Sequence, residues 1–111
     1  MIATGKLKNP DMNRTEAAYA LVLEARRQAG EVAWWEFEGI TMKLADDTRY
    51  TPDFAVMLAN GEMEMHETKG FMRDDAWVKL KIAAKQFPFR FWLVRKERVA
   101  KGGGWNSEVV G

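Results

Sequence analysis

Two hydrophobic periods alternate along this chain. From residue 13 onward, Ala17, Ala18, Leu21, Val22 and Ala25 recur at the three- and four-residue spacing of an amphipathic helix. Asn13 or Thr15 can cap its free amides, Glu16 falls in its first turn, Arg26 and Arg27 crowd its end, and Gly30 stops it. Beyond Gly30 the texture is that of strands. Val32 to Phe37 is rich in β-branched and aromatic residues, and Ile40 to Leu44 can continue it past Gly39. Asp46-Asp47 reads as a turn, Tyr50 to Leu58 as a second strand and Glu62 to Lys69 as a third. Helical spacing returns at Trp77, Leu80, Ala84 and Phe87, with Asp74 as cap and Pro88 as terminator, before a fourth strand from Phe89 to Val94. The expected order is αβββαβ, a single α/β domain with a mixed sheet flanked by helices. Residues 1–12 and 101–111 are expected to be flexible arms, although Trp105 has the bulk to dock.

The turn between the second and third strands decides which side chains share a face. A two-residue Asn60-Gly61 loop would set Asp53 opposite Thr68 and turn it away from Glu67 and Lys69. A three-residue loop, Ala59-Asn60-Gly61, with glycine in the left-handed conformation, pairs Leu58 with Glu62 and Asp53 with Glu67. One face then carries Thr51, Asp53, Ala55, Met57, Met63, Met65, Glu67 and Lys69. Carboxylates set directly opposite each other repel unless one takes a proton or a cation lies between them. A hard divalent ion such as Mg²⁺ satisfies both, and Lys69, two residues beyond Glu67, points the same way. A cross-strand salt bridge through Lys69 is the competing explanation. His66 falls on the opposite face and reads as structural; Glu62 and Glu64, on that face too, read as solvated.

Composition narrows the chemistry. The 111 residues fit one domain, and at 47% hydrophobic and 12% aromatic they can bury a core. No cysteine is present, which removes disulfides, thiolate metal sites and cysteine nucleophiles and suits a reducing cytoplasm. No apolar run is long enough for a signal peptide or a membrane span, so a soluble cytoplasmic protein is expected. Net charge is only +1, but Lys79, Lys81, Lys85, Arg90, Arg95, Lys96, Arg98 and Lys101 make the last third basic. The acids gather around Asp46, Asp47, Glu62, Glu64 and Glu67. A carboxylate cluster with basic flanks suits a metal site beside a phosphate-binding surface.

Pro52-Asp53 followed by Glu67-Thr68-Lys69 has the form PD…ExK and resembles the signature of the PD-(D/E)xK nuclease superfamily. The helix-strand-strand-strand-helix-strand order is similar to that superfamily's restriction-endonuclease-like core. Thr15-Glu16-Ala17-Ala18-Tyr19, Tyr50 to Phe54, Glu67 to Gly70 and the Lys79-Leu80-Lys81 helix look like small phage-encoded nucleases akin to Holliday-junction resolvases. The resemblance covers about residues 13–96.

It implies a metal-dependent DNA endonuclease selective for branched DNA, acting in a bacterial host cell as a homodimer, because a resolvase cuts two dyad-related strands. It implies Glu16, Asp53, Glu67 and Lys69 as catalytic residues, and Asp53, Glu67, Glu16 and the Thr68 carbonyl as ligands of Mg²⁺, with Mn²⁺ as a substitute. Threonine at position 68 departs from the aliphatic residue more usual there, which a backbone ligand tolerates. Lys79, Lys81, Arg95 and Lys96 are the expected phosphate contacts. Flaps or single strands are alternative substrates, and a catalytically silent DNA-binding module is the alternative class.

Overall fold

The computed structural model describes residues 9–69 and 74–111. The expected N-terminal arm falls mostly outside them, as does the Asp74 side chain proposed as a helix cap. The first helix, α1 (Arg14–Gln28), begins where the polar pattern places it. Asn13 accepts from the Glu16 N–H and Glu16 accepts from the Asn13 N–H, each at 2.8 Å, so both free amides are satisfied reciprocally.

Seven strands follow among the described residues: β1 (Val32–Phe37), β2 (Met42–Ala45), β3 (Thr48–Tyr50), β4 (Phe54–Leu58), β5 (Met63–Thr68), β6 (Arg90–Lys96) and β7 (Trp105–Val110). The second helix, α2 (Asp74–Gln86), connects β5 to β6. The main sheet has the order β1-β4-β5-β6-β7, with β5 and β6 parallel and the other neighbours antiparallel, so it is mixed as expected.

Three expectations need correction. Residues 40–44 do not prolong β1: Met42–Ala45 pairs instead with Thr48–Tyr50 in a separate two-stranded sheet around the Asp46-Asp47 turn. The run from Tyr50 to Leu58 is not continuous either. It breaks at residues 51–53, where Pro52 cannot donate to a ladder, so αβββαβ underestimates the strand count. The C-terminal arm is a strand: β7 covers the outer edge of β6 from Phe91↔Val110 to Lys96↔Trp105. Trp105 does dock, its ring meeting Tyr19 edge-on at 5.1 Å.

The main sheet is covered on both faces. On one side Tyr19, Ala20 and Leu23 of α1 pack on Val32, Trp35, Phe37, Phe54, Val56 and Val94. On the other, Leu80 and Ala83 of α2 and Met42, Leu44 and Tyr50 of the small sheet cover Ala55, Met65, Phe91 and Leu93. Trp34 and Trp35 face opposite sides, as adjacent strand residues must, Trp35 in the α1 core and Trp34 against the α2 core. Glu24, on the inward face of α1, is buried, and the Arg27 guanidinium fork and, more weakly, the Trp35 indole N–H push its carboxyl pKa down to about 2.

Candidate functional site

The β4–β5 hairpin has the bulged register. Met57↔Met63 and Ala55↔Met65 pair directly, the Leu58 N–H donates to the Glu62 carbonyl at 2.8 Å, and Gly61 sits at φ +92°. Continuing that ladder sets Asp53, just before β4, across from Glu67 near the end of β5. Four hydrogen bonds hold Asp53 there. Its carbonyl accepts from the Glu38 N–H at 2.7 Å, and its own N–H donates to Glu67 Oε1 at 3.1 Å. Its Oδ2 accepts from both the Thr68 N–H and the Thr68 hydroxyl, each at 2.9 Å. The Asp53 carboxylate thus lies over the end of β5.

Glu67 is almost fully buried, on the face covered by the small sheet. Its Oε1 also accepts from the Tyr50 hydroxyl at 2.6 Å. Burial pushes the Glu67 carboxyl above the ordinary carboxylate range, and the Asp53 charge pushes it further; the Tyr50 hydroxyl, the Asp53 N–H and Lys69 pull it back. Asp53 is raised too, first by burial, against the Thr68 hydrogen bonds, then by the charge of Glu16. Lys69 lowers both acids, so its ammonium lies within electrostatic reach of each; its backbone N–H is fixed to the Val94 carbonyl at 2.8 Å. It makes no ion pair with a described residue.

Glu16 is near enough for its charge to act on Asp53, while its Oε1 closes the α1 cap. Among the described residues no three acidic or imidazole side chains converge on one point as a ready-made metal cage. Among the described residues, none donates a hydrogen bond to Asp53 Oδ1 or Glu67 Oε2. A half-buried and a buried carboxylate that repel each other fit a hard divalent cation, whose charge relieves both the burial cost and the repulsion.

His66 turns toward α1, its Nδ1 2.6 Å from the Tyr19 hydroxyl and its Nε2 2.9 Å from Glu64. Glu64 is therefore not solvated. Burial alone would raise its pKa, but His66 and Trp92 hold it below the ordinary value. Arg95 is exposed and paired with Glu108 at 2.7 Å, whereas Lys79 and Lys81 lie on α2 and Lys96 at the end of β6. A cavity of about 480 Å³ opens at the opposite end of β5, by Gly61, Pro88 and Arg90, away from the paired acids.

Reading the sequence assigned no role to Tyr50 or to the Thr68 hydroxyl. Both hold the acids, and no local pattern marks them, because Tyr50 reaches Glu67 only once the small sheet folds over the hairpin. Compared with protein-family models, with characterised proteins and with solved structures, the chain finds no match in any of the three.

Proposed function

We propose that this chain is a metal-dependent nuclease of the PD-(D/E)xK type, with a restriction-endonuclease-like core, which hydrolyses DNA phosphodiesters and favours branched substrates. The observation that carries the reading is the opposed pair Asp53 and Glu67, one half-buried and one buried, both raised above the normal carboxylate range, with Lys69 in reach of each. A purely structural pair of this kind costs stability; a site built for a cation uses it. The mixed sheet between helices, with PD just before β4 and ExK at the end of the adjacent β5, adds to this reading.

In this proposal Asp53 and Glu67 hold Mg²⁺ or Mn²⁺, together with the Thr68 carbonyl and Glu16. When bound, the cation supplies positive charge against the scissile phosphate and the attacking water. Tyr50 and Thr68 fix the two carboxylates so that their other oxygens stay aimed at the site. Lys69 donates to the water or to a phosphate oxygen and offsets charge that grows as water oxygen bonds to phosphorus and the sugar oxygen departs with a proton. Lys79, Lys81 and Lys96 take phosphates without reading bases, and Arg95 does so if it leaves Glu108. A homodimer would present two such sites to a junction.

The test is incubation of the protein with four-way junction, flap, duplex and single-stranded DNA, with and without Mg²⁺, beside Glu67→Ala. Cleavage by the wild type alone, and only with metal, is expected. Binding that survives EDTA with no cleavage of any substrate would make the chain a DNA-binding module.

A further inference from the structure

The solvent side of α2 joins exposed apolar surface to positive charge. Trp77, Val78 and Ile82 are 37%, 52% and 38% exposed, and Val109 of the neighbouring edge strand is 53% exposed. Lys81 and Lys85 run between them, in no ion pair with a described residue. The Lys81 ammonium lies 5.8 Å from the centroid of the Trp77 ring. A cleft of about 250 Å³ between α2 and β7 is lined by Trp77, Lys81, Lys85, Val109 and Glu108, whose carboxylate is paired with Arg95, and a second, about 220 Å³, by Val78, Lys81, Ile82 and Lys85. The two lysines therefore form a ridge with an apolar trough on each side.

We propose that this Trp77-Lys81-Lys85 strip binds a single-stranded arm of nucleic acid, with a base against Trp77 and phosphates on the lysines. Successive lysines four residues apart rise about 6 Å along the helix, and the strip from residue 77 to residue 85 spans about 12 Å, room for two or three nucleotides of an extended strand. An indole beside cations is what sequence-tolerant single-strand binding uses, since every base offers a flat face and every linker a charge. A second copy docked face to face by a dyad would bring lysine against lysine, which disfavours self-association here.

The strip also has a direction. It lies on the helix covering the same sheet face as Glu67, and α2 starts five positions after Lys69, so a strand passing from Lys85 to Trp77 runs toward the paired acids. The inference rests on the nuclease reading for its biological sense and narrows the substrate to DNA carrying a single-stranded arm.

Binding is measured on the Glu67→Gln protein in EDTA, by anisotropy of labelled oligothymidylate, a blunt duplex and a four-way junction. Trp77→Ala should weaken oligothymidylate binding about tenfold, with partial rescue by Trp77→Phe, and leave the blunt duplex within a factor of two. Lys81→Ala and Lys85→Ala should each shallow the single-strand salt slope by about 0.7. Equal losses on duplex and single strand for Trp77→Ala, or none on either, would overturn the proposal. So would a wild-type dimer in sedimentation that Ile82→Asp makes monomeric, which would assign the strip to a protein partner. No metal or cleavage enters these measurements, so the strip can fail while the nuclease stands, or hold while cleavage is never seen.

Discussion

Glu67 is the residue on which most depends. It is an acid that the fold raises, and the sign of its effect on stability follows. The folded chain keeps protons on Asp53 and Glu67 that the unfolded chain has already released, so stability falls as pH rises from the ordinary carboxylate pKa, about 4, toward neutrality. Urea denaturation in EDTA at pH 4.5 and 7.5 should show this decline, and added Mg²⁺ should flatten it by binding the ionised pair. Glu67→Gln keeps an acceptor for the Tyr50 hydroxyl and the Asp53 N–H but carries no charge. It should raise stability at pH 7.5 by on the order of 1 kcal/mol while abolishing cleavage. Lower stability for that variant at neutral pH would argue that Glu67 is an ordinary structural anion. Tyr50→Phe removes one hydrogen bond to Glu67, so cleavage should persist at a reduced rate with a higher Mg²⁺ requirement.

At the scale of elements, the hairpin register depends on one backbone conformation. A Cβ at Gly61 would meet no atom within 4 Å, so the cost of a side chain there begins with the left-handed φ. Gly61→Val should destabilise by about 1–2 kcal/mol, and Gly61→Asn by less, in thermal or chemical melts. Loss of cleavage in Gly61→Val beyond what its stability explains would indicate a register slip that parts Asp53 from Glu67. The first helix has a comparable local anchor. Asn13→Ala removes one arm of the reciprocal cap and should cost about 1 kcal/mol.

At the scale of the whole molecule, the C-terminal strand closes the sheet. It pairs with β6 along six residue pairs and brings Trp105 onto Tyr19, beside the first-helix core. Deleting residues 102–111 uncovers the edge of β6 and removes that tryptophan. The truncated chain should lose at least about 3 kcal/mol, the cost of one large core deletion, and should aggregate through the bared edge. An unchanged melt would mean that β7 is an appendage.

What short-range physics governs could be read along the chain. The first helix was legible because Ala17, Leu21, Val22 and Ala25 recur at helical spacing between a polar cap and Gly30, and the hairpin register because a three-residue loop with left-handed glycine leaves one pairing that places apolar residues together. That register carried Asp53 and Glu67 into opposition, so the core of the candidate site could be read from residues 53 to 69. The tertiary structure decided the rest. The break at Pro52, which frees Tyr50 to fold over Glu67, and the recruitment of residues 105–110 as an edge strand have no signature in local periodicity. A glycine-rich tail and a loose end look alike until a β-edge with unpaired amides offers it a place. His66 on the α1 side followed from strand alternation, but its partners did not, since Tyr19 lies 47 positions away and meets it only when helix and sheet pack.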